Sequence, residues 1–556
     1  MKSEQSMQSP GFNDPFRLPE DNNRTRAEGQ NQRAPVTDFH AGPVVVRERQ
    51  GDSALGARRR GDTLLRHLAI RAAEKAVMIK LLREWALGLA SRYLHDSYCK
   101  RNTYNLPLGV QEMRHMVLMN LLRGLACAIG DGRLSRRATR GILEVLFGRQ
   151  LMGARRNIVP FINRRGFEPP SFLAISPTRR CNLRCAGCYA SSSMNDGATL
   201  EYEVFRRVLQ EIRDDWGSHF AVISGGEPFL YKSDGRTLLD VLGEFPDEYF
   251  LVFSNGTRIG HETARHLAGL GNVTVAVSVE GFARETDARR GPGVYREIER
   301  TMKALRQAGV PFGISMTATR QNADLLLSEE IIKHYFDDQG AVYAWLFHYM
   351  PIGRDPLCDL MVTPEQRSRL LERQLDLLWN RKLFFIDFWN GGPLSAGCIS
   401  AGRKGGYFHI DWDGNVSPCV FIPYAVDNVY RIYREGRALS SVLDHPTFKA
   451  IREWQTSYQG NHGTTRTRNL FMPCPMRDHH GVARDAVVRY GAQPLNADSA
   501  HALEDPQYVE QLQSHGRRCA ELLDPLWETV LADAARAVRR SSSPCTAANS
   551  APRRLK

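Results

Sequence analysis

The chain has 556 residues, 42% of them hydrophobic and 24% charged, close to globular averages, which excludes a wholly disordered or collagen-like polymer. That length exceeds one ordinary domain and predicts two or three. The net charge of +13 is local: residues 71–170 carry 18 basic against 7 acidic side chains, so the remainder is nearly neutral. No uncharged apolar run reaches the roughly 18 residues a transmembrane helix needs, and the first residues lack an apolar signal core, so a cytoplasmic protein is expected. Eleven cysteines in that setting point to free thiols or metal ligands rather than a disulfide scaffold.

Residues 1–60, rich in Asn, Gln, Arg, Pro and Gly, read as a disordered tail. Residues 61–167 form a basic helical region. Met78, Leu81, Leu82, Trp85 and Leu89 fall at helical spacing, with Lys75, Arg83 and Arg92 at polar positions. Further helices are predicted over 113–129, closed by Gly130-Asp131-Gly132, and over 136–147. Glu168-Pro169-Pro170 marks a boundary. From 168 to 355, six strand candidates (171–176, 219–224, 249–254, 272–279, 312–319 and 342–348) alternate with helices at 201–216, 236–242, 261–270, 295–307 and 327–336. Such alternation predicts an α/β fold with a parallel sheet, a partial (β/α)6 barrel. Residues 363–379 read as one more helix. The stretch 356–535 otherwise breaks into short strands, turns and spaced cysteines, a small α+β domain with a helical end. Residues 536–556, rich in Ser, Ala and Arg, read as a second disordered tail.

Chemistry concentrates after the first strand candidate, in Cys181-Asn-Leu-Arg-Cys185-Ala-Gly-Cys188-Tyr189. Three thiols this close can surround one metal site, and thiolates select zinc or iron–sulfur clusters. Structural zinc wants four ligands, and no fourth Cys or His lies nearby. Three cysteines on a [4Fe–4S] cubane leave one iron open to a substrate or cofactor. The next strand candidates end in Ser224-Gly225-Gly226-Glu227-Pro228, in Ser254-Asn255-Gly256-Thr257, in Ser278-Val279-Glu280-Gly281 with Asp287 and Arg290 after it, and in Thr317-Ala318-Thr319-Arg320. Polar groups thus gather at the carboxyl ends of successive strands, where α/β sheets bind ligands. The paired glycines would let backbone approach a ligand closely.

The C-x3-C-x2-C spacing with Tyr189 directly after the last cysteine resembles the signature of the radical SAM superfamily, over about residues 172–353. The resemblance implies a [4Fe–4S] cluster on Cys181, Cys185 and Cys188, whose open iron chelates S-adenosylmethionine (SAM), and an electron donor of flavodoxin or ferredoxin type. It implies that the Gly225, Gly226 and Glu227 loop holds the methionine amino group. Ser254, Asn255, Ser278 and Glu280 would lie near the ribose or carboxylate, with Tyr189 in the same cofactor-binding set. The implied reaction is reductive cleavage of SAM to a 5′-deoxyadenosyl radical, which abstracts hydrogen from a peptide, protein or small-molecule substrate.

Farther on, Cys398 is followed by fifteen residues and then Gly414-Asn-Val-Ser-Pro-Cys419. Asp413-Gly414 reads as a hairpin turn that returns Cys419 beside Cys398. Cys474 stands in Pro473-Cys474-Pro475-Met476-Arg477-Asp478-His479-His480. The C-x15-G-x4-C spacing resembles the opening of the SPASM/twitch extensions, which hold auxiliary clusters behind many radical SAM cores. Position 477, where a C-x2-C partner would stand, is Arg. The resemblance implies one auxiliary [4Fe–4S] cluster on Cys398, Cys419 and Cys474, with Asp478, His479, His480, Cys519 or a substrate atom as fourth ligand. Cys99, Cys127 and Cys545 are assigned to no site, and Cys358 reads as core. Phe347-His348-Tyr349-Met350 and the run from Phe385 to Asn390 read as core or pocket wall, with no catalytic residue among them.

Three readings of the basic helices stay open: a solvated face packed on the barrel, contact with a partner or an anionic membrane surface, and nucleic acid, for which no reading module is evident. A membrane contact would make the protein peripheral and suit a radical SAM enzyme of lipid or isoprenoid modification. The remaining alternative is a non-catalytic iron–sulfur electron carrier or scaffold.

Overall fold

The computed structural model describes residues 79–102, 105–151, 153–460 and 467–541, all within a compact unit spanning 63–556. The tail expected at 1–60, the start of the basic region and the end of the second tail lie outside the described residues. The centre of the fold is a sheet of ten strands: β1 (Leu173–Ile175), β2 (Phe220–Ile223), β3 (Tyr249–Ser254), β4 (Val273–Val279), β5 (Phe312–Ala318), β6 (Ala344–His348), β7 (Phe385–Asp387), β8 (His409–Ile410), β9 (Asn415–Ser417) and β10 (Asp427–Asn428). Their order is β10-β9-β8-β1-β2-β3-β4-β5-β6-β7. Strands β1 to β7 are parallel, each beside its predecessor, and β8 runs parallel to β1 with Ala174 opposite His409. Only β9 and β10 are antiparallel additions.

The fold is therefore the expected α/β one with a helical N-terminal part, but the parallel array is longer than six strands. Phe385–Asp387, read from sequence as a pocket or core run, pairs with β6, and His409–Ile410 adds to the opposite edge. The chain's last long helix, Pro506–Ser541, runs past position 536, where the second tail was expected to begin.

Side-chain alternation sets the curvature. Ala221, Ile223, Val275, Val277, Ile314, Met316, Ala344 and Leu346 are fully buried among the covering helices. Those helices present apolar residues three and four apart: Phe205, Val208, Leu209 and Ile212 on Tyr202–Asp214, and Ile298, Met302 and Leu305 on Val294–Ala308. The opposite set, Ala174, Val222, Phe253, Ser278, Thr317, Phe347 and Ile386, contributes one residue from each of β1 to β7, and all seven line a single cavity. The sheet thus curls around an interior, as a partial barrel does.

The basic helices close the amino end of this barrel. On helix Leu108–Gly130 and the π-helical stretch Ile142–Leu151, Leu125, Ala128, Ile142 and Val145 pack against Tyr249, Leu251 and Ala276 of β3 and β4. Ser135 caps the short helix Arg136–Gly141 through Ala138 N–H at 3.1 Å, and its own N–H donates to Gly309 O just before β5. A Cβ on Gly141 would stand 2.0 Å from Gly271 O, so the helix lies directly on the turn leading into β4. Of the three readings of this region, packing on the barrel is the one observed for residues 108–151. Helix Pro364–Trp379, opened by a Thr363–Gln366 capping box, packs with Pro506–Ser541 and the helix Leu108–Gly130 through Leu371, Leu378, Leu523, Trp527, Val110 and Met113.

Candidate cluster and SAM site

The loop after β1 carries Cys181, Cys185 and Cys188. It is fixed from three directions. Arg354 donates from Nη1 to Cys185 O at 2.8 Å and from its backbone N–H to Cys188 O at 2.9 Å. Ala186 N–H donates to Arg289 O at 3.0 Å, and Cys181 N–H to Ser193 O at 3.1 Å. Asn255 Nδ2 reaches Cys181 Sγ at 3.7 Å. Burial pushes the Cys181 thiol up to about 12. Burial also raises Cys185, against the pull of the Arg290 and Arg289 guanidiniums. Iron ligation would remove these protons outright.

The paired glycines after β2 also pack tightly against neighbouring backbone. Gly225 has φ 117°, and a Cβ there would stand 2.8 Å from Thr178 O; one on Gly226 would stand 2.3 Å from Arg180 O. The close approach is thus to the backbone leading into the cysteine loop. Gly226 N–H donates to Thr178 O at 2.8 Å and Glu227 N–H to Arg180 O at 2.9 Å. The glycines lock the loop to β2 while leaving their open side on the cavity.

That cavity, about 550 Å³, is lined by Cys181, Cys185, Cys188, Tyr189, Gly225, Gly226, Ser254, Asn255 and Ser278. Glu227 and Glu280 stand outside its lining. Glu227 is fully buried and accepts from Ser254 Oγ at 2.8 Å and Asn255 N–H at 2.8 Å, tying the ends of β2 and β3 together. Glu280 is buried and paired with Arg289 and Arg290, and accepts from Thr317 N–H at 3.1 Å. Its two arginines do line the cavity, beside Cys185 and Cys188. Both escape the sequence reading as site residues, as does Arg354. The signal for Arg290 was its place just after the fourth strand; nothing local distinguishes Arg289 or Arg354.

The same cavity continues to Cys398, Cys419 and Cys474. The predicted hairpin forms between β8 and β9, with His409 opposite Ser417 and Asp411 Oδ1 accepting the Asp413 and Asn415 N–H groups in the turn. Tyr407 Oη lies 2.9 Å from Cys419 Sγ, and Ser400 Oγ 3.2 Å from Cys398 Sγ. Of the four side chains considered as a further ligand, His480 keeps a ring nitrogen, Nε2, without a hydrogen-bond partner, and the others meet neighbours. Asp478 pairs with Arg367 at 2.6 Å and accepts the Cys474 N–H; the His479 ring meets Met472 O and the His480 ring Met476 O; Cys519 Sγ lies 3.4 Å from His515 Nε2. None of the four lines the cavity. Tyr407 and Ser400 do, and neither residue was singled out from sequence.

The cavity wall is also aromatic: Phe253, Trp345, Phe347, Phe388, Trp389 and Phe421. His348, at the end of β6, is held by Asp387 at 2.9 Å on Nε2 and by Arg477 Nη1 at 3.0 Å on Nδ1. Burial drives its pKa down to about 4, so it is a neutral imidazole that donates from Nε2. Cys358 lies against Tyr349, Tyr508 and Leu512, away from this wall.

The donor sets fit iron–sulfur chemistry. Among the described residues no three His, Cys, Asp or Glu side chains converge closely enough to grip a single metal ion. All six cysteines line one wide, mainly apolar space, which leaves room for multi-atom clusters.

A parallel sheet with a three-cysteine loop at the carboxyl end of its first strand, facing a ligand-sized cavity, defines a class of α/β iron–sulfur proteins. Residues 175–324 match the Radical SAM superfamily. That segment is thus similar to a superfamily of enzymes that bind a [4Fe–4S] cluster and SAM. Among curated proteins the chain is similar to the sporulation killing factor maturation protein SkfB of Bacillus subtilis, 33% identical over 254 residues, 45% of this chain and 60% of that one. It is also similar to the pre-heme d1 synthase of Dinoroseobacter shibae, 30% identical over 187 residues, 32% of this chain and 43% of that one. The chain thus spans less than two thirds of either relative. Among solved structures it resembles Streptococcus suis SuiB bound to precursor peptide SuiA, with TM-score 0.45 and 19% identity, covering 57% of this chain and 74% of that one.

Proposed function

We propose that this protein is a radical SAM oxidoreductase with one auxiliary cluster, acting on the apolar part of a peptide, protein or small-molecule substrate. The observation that carries the reading is the single cavity onto which both cysteine trios open. Cys181, Cys185 and Cys188 would hold the SAM-binding [4Fe–4S] cluster, and Cys398, Cys419 and Cys474 the auxiliary one. When bound, the first cluster and SAM would supply, with an electron from a flavodoxin- or ferredoxin-type donor, the 5′-deoxyadenosyl radical that removes a hydrogen atom from the substrate. Tyr189, Gly225, Gly226, Ser254, Asn255 and Ser278 line the SAM end, where Arg289 and Arg290 offer cationic partners to a carboxylate. Glu227 and Glu280 act from behind, the first by fixing the ends of β2 and β3, the second by orienting the two arginines. The aromatic wall keeps water from the space between the trios and receives the substrate's apolar body.

In this reading residues 108–151 of the basic region seal the barrel, 168–355 form the catalytic core and 356–535 carry the auxiliary cluster. The relatives support two substrate types, since one is named for maturation of a killing factor and another for a heme synthesis step. A pure electron carrier would need neither the glycine-locked loop nor a cavity of ligand size. The test is anaerobic reconstitution, reduction with dithionite and measurement of 5′-deoxyadenosine. The wild-type protein is expected to form it, and the variant with Cys181, Cys185 and Cys188 all changed to Ala is expected to form none. Undiminished product from that variant would overturn the assignment.

A further inference from the structure

We propose that helix Lys80–His95 docks this protein on an anionic membrane surface. The helix is amphipathic in the reverse sense. Its protein-facing positions, three and four apart, are Arg83, Ala86, Leu87, Ala90, Ser91 and Leu94, all buried or half-buried. Its large apolar side chains stand on the other side: Leu81 is 82% exposed, Trp85 67% and Tyr93 66%, with Leu82 and Leu89 also exposed. Midway along this face, nothing lies within 4 Å of where a Cβ on Gly88 would stand. A helix at rest in water keeps charged residues outward and its large apolar residues inward. A contiguous stripe of three Leu, a Trp and a Tyr on the open side marks a surface with a partner.

Charge selects the partner. From Lys80 to Arg101 the exposed charged side chains are Lys80, Arg92, Lys100 and Arg101 against Glu84 and Asp96, the latter paired with Lys100 at 2.7 Å. In sequence, the stretch 58–75 before the helix adds Arg58-Arg59-Arg60, Arg66, Arg71 and Lys75 against Asp62 and Glu74. Cations bordering Leu, Trp and Tyr are the composition of a helix lying in the plane of an anionic bilayer, with its rings at headgroup depth. The helix is also fixed to the barrel. Ser91 meets His115 Nε2 at 3.3 Å through its hydroxyl and at 3.2 Å through its carbonyl. His115 belongs to helix Leu108–Gly130, whose Val117 lines the cavity. The docking face and the cavity are therefore joined through one rigid element. This proposal does not depend on the radical SAM reading, and its assay involves no radical chemistry.

The experiment floats full-length reconstituted protein with phosphatidylcholine vesicles and with mixed phosphatidylcholine–phosphatidylglycerol vesicles, at low and high salt. Binding to the mixed vesicles alone is expected, weakened by salt. The double variant Leu81→Ala, Trp85→Ala should bind about tenfold less or weaker still, with the thermal midpoint unchanged. Absence of binding, binding indifferent to phosphatidylglycerol, or equal binding by the variant would overturn the proposal. So would a variant that loses thermal stability while the wild type stays off vesicles, because the stripe would then be covered by this chain itself.

Discussion

Replacing Arg367 by Met tests whether the second cysteine trio depends on one buried ion pair. Arg367 sits on helix Pro364–Trp379 with no exposed side-chain surface. Its Nη1 donates to Asp478 Oδ1 at 2.6 Å, its Nη2 to Phe471 O at 2.8 Å and its Nε to Asn390 Oδ1 at 2.9 Å. Asp478, equally buried, accepts the Cys474 N–H at 3.2 Å, so the pair clamps the Cys474 turn to a helix 111 residues earlier in the chain. Methionine keeps the stem and deletes the charge. Breaking one side of such a pair costs about 3–5 kcal/mol, because the remaining carboxylate is left buried without its counter-charge. Arg477 Nε, 3.9 Å from Asp478, offsets part of this, so a loss of about 3 kcal/mol is expected. Changing both partners, Arg367→Met with Asp478→Leu, should restore part of the stability, since removing a buried pair together is close to neutral but here leaves buried Arg477 without its counter-charge. Urea unfolding of anaerobically reconstituted protein, followed by far-ultraviolet circular dichroism, reads both. A single-variant loss below about 1 kcal/mol, or a double variant no more stable than the single, would refute the reasoning.

Two further outcomes follow from the same geometry. Changing Cys398, Cys419 and Cys474 together to Ala should lower reconstituted iron from about eight to about four per chain, and about four in both proteins would count against the auxiliary cluster. Acid sensitivity should be steep below neutral pH. Burial drives His348 to about 4 and both His409 and His515 to about 3, below the ordinary histidine value. The unfolded chain therefore takes up protons first as pH falls. The stability these rings contribute is complete above about pH 6.5 and is lost toward pH 4 to 3, at up to about 1.4 kcal/mol per pH unit for each ring. Because His409 is wedged between Ser176 Oγ at 2.9 Å and Ser417 Oγ at 3.3 Å, His409→Asn should flatten the slope between pH 7 and 5 by about one proton; an unchanged slope removes this ring from the account.

Much of this architecture could be read before any coordinates. β3 begins and ends where the sequence predicts, because a run of buried apolar residues stops abruptly at Ser254-Asn255-Gly256. The cysteine loop is local chemistry, complete within eight residues, and needs no tertiary information. β7 escaped because it is three residues long, too short for any periodicity to register, and β8 was legible as one arm of a hairpin but not as a neighbour of β1. A carboxylate at a strand end can face a ligand or a neighbouring strand, and the partners of Glu227 (Ser254 and Asn255) and of Glu280 (Arg289 and Arg290) are visible only in three dimensions. The basic helices misdirect for the opposite reason. Charge counts register Arg133, Arg136 and Arg137, whereas the packing is set by Leu125, Ala128, Ile142 and Val145, whose stripe has no distinguishing composition.

The meeting of the two cysteine trios follows from how the sheet is extended. β7 adds at one edge, beside β6, and β8 adds beside β1, on the side leading to the other edge. The chain between them, residues 388–408, must therefore cross from one margin of the curled sheet to the other. That crossing carries Cys398, together with Phe388, Trp389 and Tyr407 of the cavity wall. The β8–β9 hairpin then returns Cys419 to the same place, and Tyr407 meets its sulfur. Placing Cys398 and Cys419 against the first trio needs no dedicated interface between domains, since backbone pairing at β7 and β8 already holds the crossing segment over the cavity, while Cys474 is brought in separately by the Arg367–Asp478 pair. A change that unzips either short strand would accordingly separate the trios while leaving the first cysteine loop, locked to β2 by Gly225 and Gly226, in position.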